Sequence, residues 1–391
     1  MPTSYEPFHP PPRILLGPGP AAVDPLVLAA MSRTLLGHLD PVFLSVMDDV
    51  RVMLREVFRT SNEWTLAVSG TGTAGMEAGV TNLVQPGDRA VVCVAGYFGA
   101  RMAEMVRRAG GEPILVDTAW GDVVAPELVE KALSDAAAAG APARVVGLVH
   151  AETSTGVLQP LDDIVRIAHA HGALVIVDAV TSLGGVPLDV DGCAGGEGID
   201  LCYSGSQKCL GSPPGMAPLT AGHRAQKAIQ ARRTPPVSFN LDLSLLDAYW
   251  GRQRAYHHTA PINSVYAMRE ALRLVLEEGL EQRAARHRRV HEQLRRGVEG
   301  LGLEFLVPEK IRLPVLNTLK IPDGVDDRMV RGRLLSEHNI EIGGGLGPLA
   351  GKVWRVGLMG SSAREENVAR FLTAMRIILG APRMSKPSRR A

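Results

Sequence analysis

The sequence carries almost no excess charge of either sign. Lysine and arginine number 42 against 41 aspartate and glutamate, a net charge of +1 over 391 residues, so no overall field exists to hold a nucleic acid or an acidic membrane surface. The expected partner is a small molecule. Long apolar runs are also missing: the longest, such as Ala173 to Val177, fall far short of the ~18 to 20 residues that span a bilayer. That excludes a transmembrane helix. Residues 1 to 13 are proline-rich and polar, without the charged start and apolar run of a secretory signal, and the final Ser-Arg-Arg-Ala is neither a retention nor a peroxisomal address. The expected location is cytoplasmic. Cysteines number 4, namely Cys93, Cys193, Cys202 and Cys209, and form no CxxC pair or dense framework, which suits a reducing compartment with all of them reduced. No internal repeat is present.

What is there is ordinary globular composition, 46% hydrophobic and 21% charged, and at ~150 residues per domain the length predicts about two to three domains. Residues 1 to 22 gather Pro10, Pro11, Pro12, Pro18 and Pro20 with Gly17 and Gly19, so they read as an extended arm that needs a surface to lie on. From Trp64 to Ala221 short β-branched runs alternate with helical stretches, the pattern of a mainly parallel sheet with crossover helices. Strands are expected at 66–68, 90–94, 113–116, 145–149, 174–177 and 201–204. Helices are expected at 75–83, 98–109, 126–139 and 161–171. A helix over 263–278 and a charged one after Gly279 lead into a smaller α+β unit with strands near 315–321 and 353–356. The divisions expected are an arm at 1–22, a large domain at 23–278, a small domain at 279–380 and a flexible basic tail at 381–391.

Three motifs carry chemistry. Ser69-Gly-Thr-Gly-Thr-Ala-Gly-Met-Glu-Ala is a glycine-rich turn between a strand and a helix, where free backbone N–H groups and the helix dipole form an anion site. Gly70, Gly72 and Gly75 also satisfy GxGxxG, but a dinucleotide site wants an acid at the end of the next strand, and Asp88 lies before that strand. A turn that is glycine-rich only for packing is the plainer alternative. Leu174-Val-Ile-Val-Asp178 delivers a carboxylate at the end of an apolar strand, poised for a cationic partner because an unpaired buried charge is costly. Taken alone, it reads better as a helix cap. Ser204-Gly-Ser-Gln-Lys208 sets a lysine among small residues just past a buried strand, where a desolvated amine can form a Schiff base. A solvent-facing lysine is the bland reading. Together, an amine, an acid for a ring nitrogen and a phosphate site are the parts that pyridoxal 5'-phosphate requires.

With these parts in view, His150-Ala-Glu-Thr-Ser-Thr-Gly, Val177-Asp-Ala-Val-Thr-Ser-Leu-Gly-Gly, Ser204-Gly-Ser-Gln-Lys and Lys352-Val-Trp-Arg-Val-Gly-Leu-Met-Gly resemble the class V, fold-type I pyridoxal-phosphate aminotransferases of the alanine–glyoxylate and serine–glyoxylate branch. The likeness runs from Gly17 to about Leu379. It implies that Lys208 is the Schiff-base lysine and Asp178 the acid at the pyridine nitrogen, with Val180 and Phe98 on opposite faces of the ring. Many relatives have Trp where Phe98 stands. It further implies that Thr153 lies beside the 3-oxygen, that Thr71, Gly72, Thr73 and Gln207 contact the phosphate, and that Tyr256 and Thr259 reach the phosphate of a neighbouring subunit. The functional unit is then a homodimer. Arg355 is implied to clamp the substrate carboxylate with its planar fork. The implied reaction moves the amino group of alanine or serine to a small 2-oxo acid, glyoxylate above all.

Rival readings are serine–pyruvate transamination, a cysteine desulfurase, a nicotinamide dehydrogenase and a cofactor-free scaffold. A desulfurase needs a cysteine in a C-terminal loop, yet the last one here is Cys209. A dehydrogenase leaves Asp178, Lys208 and Arg355 unexplained, and a scaffold has no need of Lys208. The chain departs from its relatives at Cys193 to Gly198, a longer turn, and in the tail after Gly380. No metal is expected: His287 and His291 have ligand spacing on a helix but no third ligand, and with the basic run Arg283 to Arg296 they read as a solvated face. His257 and His258 read as structure around the phosphate.

Overall fold

Seven strands form one sheet in the order β1-β7-β6-β5-β4-β2-β3. They are β1 (Trp64–Ser69), β2 (Arg89–Val94), β3 (Glu112–Asp117), β4 (Val145–Val149), β5 (Leu174–Asp178), β6 (Leu201–Tyr203) and β7 (Met216–Ala221). The chain is described by a computed structural model over residues 5–380, so the tail expected at 381–391 lies outside the described residues. All neighbouring strands run parallel except where β7 inserts antiparallel between β1 and β6. Strand β7 was not foreseen, because Pro218 interrupts its pattern. Pro218 has no N–H to give, but it lies just beyond the residues of β7 paired with β6, Leu219 to Ala221, and its carbonyl still accepts from Ser204 N at 2.8 Å.

Helices pack on both faces of this sheet. Helix α1 (Pro41–Phe58) buries Phe43, Met47, Val50 and Leu54 on one stripe, and starts where the Asp40 side chain accepts from Val42 N. Helix α2 (Gly72–Leu83) follows β1, α3 (Tyr97–Arg108) follows β2, and α4 (Ile262–Glu278) packs against α1. Among the described residues no helix is long and apolar enough to cross a membrane. All four cysteines are free and buried; burial pushes the Cys93 and Cys193 thiols up to about 12 and Cys209 up to about 11.

Helix α5 (Leu280–Gly300) leads to a second core of Leu16, Val290, Leu294, Leu319, Trp354 and Phe371, distinct from the first. It covers a three-stranded antiparallel sheet, β8 (Leu316–Lys320), β10 (Val353–Gly357) and β9 (Gly343–Gly344), where β10 is central. Helices α6 (Asp327–His338) and α7 (Glu365–Leu379) back it. The proline-rich arm finds its surface here. Ile14–Leu15 pair with Ile340–Glu341, Leu16 O accepts from Gly357 N, and Ala21 N then donates to Gln207 O. One expectation is corrected: His287 is 0% exposed and His291 and Arg283 are also buried. These three lie on the enclosed side of α5, while Arg288, Arg289 and Arg296 of the same run are exposed as expected. His287 Nδ1 donates to Arg283 O at 2.7 Å and Nε2 accepts from Gly360 N, while His291 bonds Asn317 Oδ1 at 2.7 Å.

Candidate active site

Strand β5 ends by placing Asp178 at 3% exposure. Its Oδ1 accepts from Val180 N and its Oδ2 from Tyr203 OH, both at 2.8 Å, the latter because Asp178 and Tyr203 are register partners in neighbouring strands. Burial raises this carboxyl to about 6 despite both donors. The cap alternative is thus only half of what Asp178 does, for its second oxygen faces another strand.

Beyond β6 the chain turns through small residues to Lys208, whose amine donates to Pro18 O of the arm. Burial first, and then the nearby Arg355 charge, lower this amine to about 8. The turn after β1 lies alongside. Gly70 adopts φ +139°, and a Cβ there would fall 2.6 Å from Ala74 Cβ, so only glycine fits. A Cβ on Gly72 would meet Val180 Cγ2 at 2.7 Å and Gly205 Cα at 3.7 Å. The glycine turn, the segment after Asp178 and the segment before Lys208 therefore touch. The amides of Thr71, Gly72 and Thr73 precede the first bond of α2, which Ala74 N donates to Thr71 O, and the Thr71 side chain makes no capping bond. They remain available to an anion.

Phe98 stands in the first turn of α3, with the Arg101 guanidinium 4.8 Å from its ring centroid and Arg101 Nη1 donating to Thr73 Oγ1 at 3.1 Å. This links the aromatic to the glycine turn. Thr153 Oγ1 lies 2.6 Å from Thr181 Oγ1, and Thr153 O accepts from Arg355 Nη1 at 3.1 Å. Arg355, buried on β10, also donates from Nε to Gly344 O at 2.8 Å, and burial lowers it to about 10. The Gln207 carboxamide has a buried oxygen without a partner.

Ten of the expected residues thus gather at the carboxyl edge of the large sheet, where it meets β10 and the arm. Tyr256 and Thr259 do not join them: Tyr256 is 63% exposed and Thr259 is exposed too. Their loop is anchored to the same turn, since His258 Nε2 lies 2.8 Å from Ser69 Oγ. Sequence reasoning missed Tyr203, Thr181, Arg101 and Glu152. The first needed only the pairing of β5 with β6, and Arg101 the three-residue helical step from Phe98. Chemically, the cluster offers an amine of lowered proton affinity, a buried acid of raised proton affinity, an anion cradle and a guanidinium, which together suit amino-group chemistry on a phosphorylated carbonyl cofactor.

The comparisons agree with that chemistry. The family Aminotransferase class-V matches residues 27–369. The (S)-ureidoglycine–glyoxylate transaminase of Bacillus subtilis is 38% identical over 385 residues, covering 94% of this chain and 90% of that protein. The alanine–glyoxylate aminotransferase of Rattus norvegicus is 40% identical over 375 residues, covering 95% and 88%. The crystal structure of the alanine–glyoxylate aminotransferase from Nostoc sp. superposes with a TM-score of 0.92 at 49% identity, covering 96% of this chain and 97% of that one. Sheet order, site chemistry and likeness along nearly the whole length converge, and the chain belongs to the class V aminotransferases.

Proposed function

We propose that this protein is a pyridoxal-phosphate-dependent transaminase that moves the amino group of alanine or serine to glyoxylate, working as a cytoplasmic homodimer. The observation that carries the reading is the meeting of Lys208, Asp178, the glycine turn and Arg355 at the carboxyl edge of the large sheet. The residues present fit the cofactor. The free amides at Thr71, Gly72 and Thr73 and the Thr hydroxyls suit a phosphate, which Gln207 would meet through its Nε2 donor rather than its buried oxygen, while Asp178 suits a protonated ring nitrogen. Val180 and Phe98 would flank the ring, Thr153 would lie beside its 3-oxygen, and Tyr256 and Thr259 of the partner subunit would complete the phosphate site. Their exposure on this chain leaves them free for that task. The division into a large domain at 23–278 and a small one at 279–380 follows the two separate cores.

Bound there, the cofactor supplies an aldehyde for the donor's amine and a ring that accepts electrons. Arg355 orients the donor by its carboxylate. Lys208 Nζ, lowered to about 8, is part-neutral near neutral pH and moves the proton off the donor's α-carbon. Asp178 holds a proton at the ring nitrogen, and its enclosed position keeps water from competing for it. Glyoxylate as acceptor is supported by the names of the relatives above, which share that acid and differ in donor. The desulfurase reading loses further ground: Cys209 is fully buried, points its Sγ at Thr181 O and has its thiol pushed up to about 11, the opposite of an attacking thiolate.

The test is a half-reaction screen. Purified holoenzyme is mixed with one amino acid at a time, and the visible cofactor band is followed as the amino group is taken up. Alanine or serine should bleach it fastest, and re-addition of glyoxylate should restore it. A band that responds to neither donor would refute the function.

A further inference from the structure

Glu152 is a carboxylate at 1% exposure beside the proposed site, and none of the chemistry above uses it. Burying a charge is costly unless donors surround it. Here Oε1 accepts from Ser154 N at 3.0 Å and Ser154 Oγ at 2.6 Å, and Oε2 from Phe98 N at 3.1 Å and Gly99 N at 3.4 Å. The last two belong to the first turn of α3, whose amides have no intrahelical partner and whose dipole favours a negative charge. The Ser154 hydroxyl oxygen in turn accepts from Tyr97 N at 2.9 Å. Gly96 permits this approach, since a Cβ there would lie 2.4 Å from Ser154 Oγ and 2.6 Å from Glu152 Cγ. The start of α3 and the 151–154 loop are therefore one block, and its surface carries Phe98, Thr153 and the carbonyl that receives Arg355.

We propose that Glu152 is a positioning residue for transamination: its carboxylate pins α3 to the 151–154 loop and so fixes the Phe98 ring, the Thr153 hydroxyl and the Arg355 guanidinium relative to one another. The inference rests on the function proposed above. Each carboxylate oxygen serves a different element, so both are needed. Glutamine keeps one acceptor and turns an amide donor toward N–H groups, while aspartate keeps the charge and loses the reach. The Glu152 charge also favours the protonated Arg355 guanidinium against the burial that lowers it.

The experiment compares wild type, Glu152→Gln and Glu152→Asp, with pyridoxal phosphate itself as the probe. In Glu152→Gln its dissociation constant should rise at least tenfold, the circular dichroism of its visible band should shrink, and the KM for alanine should rise more than kcat falls. Glu152→Asp should resemble Glu152→Gln rather than wild type, because reach and not charge alone is required. Ser154→Ala, a milder change that keeps the carboxylate, should shift all three readouts in the same direction by a smaller factor and serves if the first variants do not fold. Values within twofold of wild type in the folded variants, with only Tm lowered, would overturn the positioning role and leave the transaminase reading intact. A wild-type protein that takes up no pyridoxal phosphate would overturn both.

Discussion

Replacing Arg355 separates substrate binding from support of the fold. A guanidinium has five N–H donors, and two are committed here, Nε to Gly344 O and Nη1 to Thr153 O. What remains is the outer end of the fork, one hydrogen on Nη1 and both on Nη2, which is enough to meet a carboxylate with two parallel bonds. A hydrogen bond to a charged group contributes about 1.5 to 3 kcal/mol, so Arg355→Ala should lower kcat/KM for alanine by about tenfold to about a hundredfold. The same truncation leaves two buried carbonyls without their donor, and Tm should fall as well. Arg355→Lys keeps the charge but presents no fork, and should lie between. Steady-state kinetics on alanine and on a simple amine without a carboxylate decide the matter, with the visible cofactor band as a control that should barely move. If both substrates lose equally, Arg355 only braces β9 and the 151–154 loop, and the carboxylate clamp lies elsewhere.

Asp178→Asn should still bind pyridoxal phosphate but lose most transamination, since an amide cannot hold the ring nitrogen protonated; near-normal turnover would reduce Asp178 to the bond it accepts from Val180. In cofactor-free protein the Lys208 amine at about 8 lies below its unfolded value of ~10.4, so its own contribution to stability rises with pH from about 8 to about 10.4, against the four buried thiols, whose raised values make stability fall above ~8.5. Asp178 acts in the other window: raised to about 6 from ~3.9, it makes its own contribution to stability fall as pH rises from about 4 to about 6, against the buried His150 and His287, lowered to about 4 and about 3, whose contributions rise there. The Tm difference between wild type and each variant, followed over pH, isolates the two: wild type should gain on Lys208→Met from about pH 8 to about 10.4 and lose against Asp178→Asn from about pH 4 to about 6. Dilution until the proposed dimer dissociates should release cofactor and activity together, as read by sedimentation and absorbance; a monomer that keeps its cofactor would contradict the assignment of Tyr256 and Thr259.

The large sheet was legible because its inner parallel strands bury both faces and so read as short apolar runs, as in Val145–Val149. Strand β7 was not, because Pro218 breaks its pattern and its antiparallel placement is a matter of long-range pairing. Helix α1 carries its signal in the open, an Asp40-Pro41 start and apolar residues three and four apart, and lies outside the α/β alternation that marks the sheet. At the site, motif residues such as Lys208 and Asp178 stand next to turns that local sequence marks. Tyr203, Arg101 and Glu152 act through partners brought together only by strand register or helix packing, and no local pattern announces them. The histidines of α5 show the converse: charged neighbours in sequence suggested solvent, while the Gly360 turn, 73 positions away, encloses His287.

The buried thiols described above make the chain its own stopwatch. With Cys93 and Cys193 held near 12, Cys209 near 11 and Cys202 higher than its usual range, almost no thiolate exists in the native state at pH 8, where an unfolded cysteine at ~8.5 ionises appreciably. An alkylating reagent added at that pH therefore meets a reactive sulfur only when a molecule opens, and the mass increments accumulate one opening at a time. Because three of the thiols lie in the core around the large sheet and Cys209 lies in a separate apolar cluster next to Lys208, the order in which they acquire the label would report whether the edge around Lys208 loosens before the sheet does.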